Sequence, residues 1–327
     1  MPTFLTTPKM APALAARIED SVRGRRQGGV AKPARARVAV HLVTLVRFGV
    51  PLCIAAMVAT LVHFVRQERA ELERARSSLL SAVQTESASL TASDLGKVAM
   101  VESWAFGLSG AYDGDVVADS LRAPGVLDAT LARPSLYVRG PLVSFQTPAA
   151  LAEAAAASSK DAFVRCLVDP PAGRGEKLVL ASVLTTHPGA EGLAGRVHRL
   201  EDAEAILPLL QRGWADGVRF APDVEAVGRL RRQLDKTPFE RGVPALKATL
   251  LIMVMDEPTH GGPTELDGEG AHDVRVGVVD LAAGSVLLRL RKHVDPSWVS
   301  PAKRPMYAGA LDGCVLAMDV RDGVVAK

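Results

Sequence analysis

Residues 38–65 read VAVHLVTLVRFGVPLCIAAMVATLVHFV, twenty-eight positions with a single permanent charge, Arg47. At a helical rise of about 1.5 Å per residue this run covers ~42 Å, more than the ~30 Å hydrocarbon core of a bilayer. A charge at the bilayer centre costs roughly 2.5–3.5 kcal/mol, whereas each Leu, Ile, Val or Phe returns only about 0.3–0.6. The favoured register therefore leaves Arg47 at an interface, where its side chain snorkels to the headgroups, and uses residues 46–65 as the membrane core. Pro51 lacks an N–H and crowds the carbonyl of Arg47, so a kink is expected near the start of the span. The competing reading is a buried helix of a soluble protein, but such helices seldom stay apolar for so long. No Trp or Tyr flanks the run, which is the feature against a span.

The flanks set the expected orientation. Residues 1–37 carry eight basic side chains and two acidic ones, Glu19 and Asp20, and four basic residues, Arg66, Arg69, Arg74 and Arg76, follow the run. Lys and Arg accumulate on the cytoplasmic side, so the N-terminus is expected inside and the C-terminal domain outside, periplasmic or extracellular. The basic leader is too long for a secretory signal, and Leu52 before Cys53 does not make a lipobox, so the segment reads as an uncleaved anchor. An organellar transit peptide over residues 1–30 is the remaining alternative.

The tail at 1–37 is rich in Pro, Ala, Gly and Arg and lacks apolar periodicity, so it is expected to be disordered. Its charge of +6 suits an anionic lipid surface. The whole chain carries a formal +3, so beyond Arg47 the balance is −4, from 30 basic and 34 acidic groups, and no nucleic-acid partner is expected. With 29 Arg against 10 Lys and only four Ile, the composition points to a GC-rich, bacterial genome.

Residues 66–92 read as a stalk helix. Glu71–Arg74, Glu73–Arg76 and Arg69–Glu73 stand at helical pair spacing, each contributing only about 0.2–0.5 kcal/mol. Leu72, Ala75, Leu79, Val83 and Leu90 form a stripe that Glu86 interrupts. Two uses of the stripe are open: a homodimer through the stalk, or docking on the chain's own domain.

Residues 93–327 suffice for a large core, with a possible sub-boundary near 171 at Pro170-Pro171-Ala172-Gly173. A hairpin is expected over 136–145, a helix at 151–157, a strand at 162–168, helices at 201–216 and 222–236, and an apolar strand at 246–255. A second hairpin turns at Ala282-Ala283-Gly284, between strands of alternating Val or Leu with Arg or Gly, and a helix near 300–311 and a strand at 314–320 close the chain. The fold class is α+β: a mainly antiparallel sheet with helices on one face, behind a single transmembrane helix and its stalk.

Common phosphate, acyl-transfer and zinc signatures are absent, as is any Asn, and no cofactor is expected. One segment is chemically dense: residues 256–273 hold six carboxylates and two His among Gly and Pro. Asp256, His260, Asp267 and His272 are the weak candidate metal ligands, although their spacing matches neither an EF-hand nor a zinc site. The bland reading is a solvated connection between two strands. His187, His198, Trp104, Trp214 and Trp298 are read as core residues.

Cys53 falls inside the span, which leaves Cys166 and Cys314 as an even pair on the side expected to be oxidising. Both lie in segments read as strands, and adjacent strands bring Cα atoms to about 4.5–5.5 Å, within disulfide reach. Two separate buried thiols are the alternative. The functional expectation is an anchored extracytoplasmic domain that binds or scaffolds a protein partner in the envelope or in a membrane complex. The alternative is a membrane-tethered, metal-assisted hydrolase centred on 256–273.

Overall fold

The computed structural model describes residues 49–158, 161–184, 193, 195–258 and 270–325. The basic tail, the start of the apolar run with Arg47, His187, His260 and Asp267 lie outside them. The chain forms two compact units, residues 1–70 and 71–327.

Helix α1, Val50–Ser87, carries residues of both units. Its best 18-residue window has a mean hydropathy of 1.6 with none of it buried, so it is long and apolar enough to cross a membrane. Leu52, Met57, Leu61 and Phe64 are all more than half exposed. From Glu71 onward the same helix belongs to the second unit. Leu79 and Val83 are buried there, with Leu72, Ala75, Leu80, Ala82 and Leu90 packed around them. The stalk stripe is thus covered by the chain's own domain, and a stalk-to-stalk dimer through it would have to uncover that core. The second compact unit begins at Glu71, within the stretch read as the stalk.

Thr91 and Asp94 form a capping box that starts the short α2, Ala92–Leu95, and Gly96 passes the chain into α3, Lys97–Ser109. Next come β1 (Val116–Val117), α4 (Val126–Leu131), β2 (Ser135–Pro141), α5 (Pro148–Ala157), α6 (Ala162–Val168), α7 (Glu176–Leu184) and β3 (Val197–Arg199). Helices α8 (Leu200–Leu210), α9 (Arg212–Arg219), α10 (Val224–Asp235) and α11 (Phe239–Leu246) lead to β4 (Leu250–Asp256). Strands β5 (His272–Asp280) and β6 (Ser285–Val294) and helix α12 (Arg304–Val325) complete the domain.

The six strands lie in the order β1-β6-β5-β4-β2-β3. Strand β2 runs parallel to both β3 and β4, and the other three pairings are antiparallel. Helices cover both faces, which corrects the one-faced expectation. The reason is the two parallel crossovers, from β2 to β3 and from β3 to β4, which carry helices over the sheet. All seven residues of β4 are buried, with Leu251, Met253 and Met255 facing one layer and Ile252 and Val254 the other. One layer holds the second part of α1 with α3, α5 and α8 to α11; the other holds α6, α7 and α12.

Other expectations are corrected by the same geometry. Residues 136–145 form one strand followed by a 3-10 turn, Leu142–Phe145, not a hairpin. Segments 162–168 and 314–320 are helical, not strands; Asp161 caps α6 by accepting from the Val164 N–H at 3.2 Å. Both are short, nearly all-apolar runs, whose period cannot separate a buried strand from a buried helix. The expected helix over 201–216 is two helices, broken at Gln211. Pro170-Pro171 separates no domains, since β2 before it pairs with β3 and β4 after it. The second hairpin is as expected: the Asp280 carboxylate accepts from the N–H groups of Ala282 and Ala283, and Gly284 takes the left-handed conformation at φ +64°.

Candidate functional site

Strands β2 and β4 are parallel neighbours, and the connections leaving their carboxyl ends diverge, β2 toward β3 and β4 toward β5. Such an end is where open α/β sheets place polar sites. On the side facing α6 and α12, strict alternation brings Tyr137 and Arg139 of β2, Asp256 of β4 and His272 of β5 to this end. Asp256 has no exposed surface and His272 is 3% exposed.

Arg139 grips the Asp256 carboxylate with two N–H groups, Nε to Oδ2 at 3.2 Å and Nη2 to Oδ1 at 3.1 Å. Its third nitrogen reaches Asp161 Oδ2 at 3.2 Å, and the Tyr137 hydroxyl donates to that same oxygen at 2.8 Å. His272 stands between two acceptors: Nε2 is 3.2 Å from Asp256 Oδ1 and Nδ1 is 2.9 Å from the Gly270 carbonyl. A carbonyl cannot donate and an ionised carboxylate cannot either, so this placement between two acceptors favours the protonated imidazolium form of His272. The Asp256 contact raises the His272 pKa above its ordinary value, against the opposing effect of burial. Burial alone would raise the Asp256 carboxyl, but His272 and Arg139 hold it below the usual range.

Asp312 of α12 differs from these paired groups. Burial pushes its carboxyl up to about 6, although the Trp298 indole N–H donates to Oδ1 at 2.6 Å. Its Oδ2 is buried without a hydrogen-bond partner among the described residues. Helix α12 passes close over this cluster at Gly313, where a Cβ would lie 3.4 Å from the Phe163 N and 3.5 Å from Arg139 Nη1. One residue on, Cys314 is disulfide-bonded to Cys166 of α6 with Cα atoms 5.1 Å apart. The bridge therefore joins two helices rather than two strands.

Of the weak metal candidates, Asp256 and His272 come together. Among the described residues no group of three or more His, Cys, Asp or Glu converges as a metal ion would require. The other described carboxylates of the segment diverge from Asp256, because neighbours in a strand face opposite ways. Glu257 pairs with Arg275 and Arg291, and Asp273 lies 3.1 Å from Arg291 and 2.8 Å from His293. Arg139 was not legible as the partner of Asp256, nor Asp161 as that of Arg139, nor Trp298 as that of Asp312. The one available signal was Arg139 itself, a cation amid the apolar residues of 136–145 that must find a counter-charge when buried.

The opposite helical layer carries a groove of about 550 Å³. It lies between the second part of α1 and the break at Gln211 that separates α8 from α9. Its apolar walls come from Leu80, Val83, Leu90, Leu209, Leu210 and Trp214. Its polar lining includes Gln84, Gln211, Arg212 and Arg219, and no acidic residue. No protein-family model, curated protein or solved structure matches the chain.

Proposed function

We propose that this chain is a single-pass membrane protein, N-terminus cytoplasmic, that presents an extracytoplasmic binding domain to a partner in the envelope or in a membrane complex. The observation that carries the reading is α1 itself, whose first part is apolar and exposed and whose second part supplies Leu79 and Val83 to the domain core. An exposed apolar face of that extent suits lipid around it. The Cys166–Cys314 bridge supports an oxidising side for the domain. The described ionic groups of 256–273 are engaged with one another and with Arg139, Arg275 and Arg291, which supports binding over catalysis.

Reporter fusions test the topology. A reporter active only outside the cytoplasm should be active after Lys327 and silent before Lys32, and the reverse pattern overturns the reading. Photo-crosslinking of the full chain in intact membranes should then give a discrete adduct from the outer domain. The hydrolase reading keeps one supporting observation, the raised and half-partnered Asp312 carboxyl near His272. Turnover of a panel of esters, amides and phosphoesters by the full chain, lost in Asp312→Asn, would favour it.

A further inference from the structure

We infer that the groove between α1 and the α8–α9 break binds a single-chain amphipathic anion, a long-chain carboxylate, with its tail on the apolar walls and its head at Arg212 and Arg219. The inference rests on the reading of this domain as a binding module. A cavity of about 550 Å³ lies within the range of small-molecule sites, which are mostly apolar with a few placed polar groups. Val83 and Leu209 form an already buried floor, and the half-buried Leu80 and Leu90 with Leu95, 43% exposed at the margin, are the apolar surface that a tail entering here removes from water.

The charge at the rim selects the head group. Arg212 and Arg219 are the charged residues of the lining, and both turn to one carboxylate, Asp216, at 3.9 Å and 2.8 Å. One anion shared by two guanidiniums leaves an excess of one positive charge beside an apolar trough. A neutral tail alone would leave that excess unused, and an anion without a tail would leave Leu80, Leu90 and Leu95 wet. A carboxylate on a long chain fits both, since guanidinium recognises carboxylate through paired N–H donors.

Photolabelling tests this on the full chain in nanodiscs, with a diazirine-bearing hexadecanoic acid as the probe and peptide mapping as the readout. Label on α1 before Ala70 reports the probe dissolved in lipid and serves as the internal reference. Label at Leu80–Leu90 or Leu209–Arg219 should exceed that reference, and unlabelled hexadecanoic acid should compete it away while hexadecanol does not. Arg212→Gln with Arg219→Gln, both at exposed positions, should weaken groove labelling about tenfold, as the loss of charge-assisted hydrogen bonds predicts. Ala215→Trp should block the trough itself, with its thermal melt checked against wild type. Labelling confined to the span, or competed equally by the alcohol and untouched by the arginine changes, overturns the proposal. A partner adduct formed by the same preparations without groove labelling would sink the ligand and leave the binding reading standing, whereas a cytoplasmic C-terminal reporter would sink that reading.

Discussion

The two helical layers on either side of the sheet are held by different means. The α6–α7–α12 layer is pinned by a disulfide and by a buried ion cluster in which each of Arg139, His272 and Asp256 has a partner. The opposite layer contains the second part of α1 and relies on apolar packing at close range. At Gly242 of α11 a Cβ would stand 2.5 Å from Ile206 Cγ2 and 2.6 Å from the Asp202 carbonyl of α8, so these helices touch backbone to side chain only because the residue is glycine. A covalently and ionically pinned layer has little freedom to admit a ligand. The layer of helices joined by apolar contacts carries its groove at the Gln211 break between α8 and α9.

That contrast can be broken most severely by removing α1 from its layer. Residues 93–327 alone should fail to fold cooperatively, while residues 71–327 should fold. Burying one Val or Leu side chain contributes about 1.5–3 kcal/mol, so losing Leu79 and Val83 with their neighbours approaches the whole stability of an ordinary domain, about 5–15 kcal/mol. A cooperative urea transition for 93–327 would show that the apolar layer closes without its longest helix.

On the pinned layer, Asp256→Ala leaves buried His272 without its carboxylate partner and Arg139 with Asp161 alone, and should destabilise the domain by about 3–5 kcal/mol in urea titration. A loss below about 1 kcal/mol would mean the cluster is wetter than its burial indicates. Next in size is the bridge. Replacing Cys166 and Cys314 together by Ser should cost about 2–4 kcal/mol and leave groove labelling unchanged, because the bond and the groove belong to different layers. Full alkylation of both cysteines without reductant would remove the bridge from this account.

The smallest effect is a pH dependence. The folded Asp312 carboxyl titrates near 6 against an ordinary 3.8, so between those values the folded state holds a proton that the unfolded chain has released. Stability therefore falls as pH rises through that window, by on the order of 2 kcal/mol. The raised His272 acts in the same sense at higher pH, its contribution complete below about 6.5 and lost as pH rises through its folded value. Asp256, held low, opposes both only in strong acid, where its contribution is lost as pH falls through its lowered value. Asp312→Asn should flatten the slope between about pH 4 and 6 in chemical denaturation, and an unchanged slope would assign it to another group.

Patterns that repeat within one element were readable without the fold. The apolar run that becomes the exposed part of α1, the stalk's helical stripe, and the β5–β6 hairpin with its turn at Gly284 all follow from periodicity and turn chemistry. Asp256 and His272 were readable as chemically unusual, being charged residues at the edges of apolar strands. The real partner of Asp256 was not, since Arg139 lies 117 residues away and meets it only because β2 and β4 are parallel neighbours.

The amino-acid sequence by itself therefore determined the long apolar helix, its amphipathic continuation and the strand hairpin, because each depends on hydrophobicity and spacing within a few turns of chain. Tertiary structure alone decided that segments 162–168 and 314–320 are helices, that the stalk stripe belongs to the domain's core, and that helices cover both faces of the sheet. The physical reason is the same for all three: an apolar run states that it will be buried, but not against what. The crossovers that make β2 and β4 neighbours supply that surface from more than a hundred residues away.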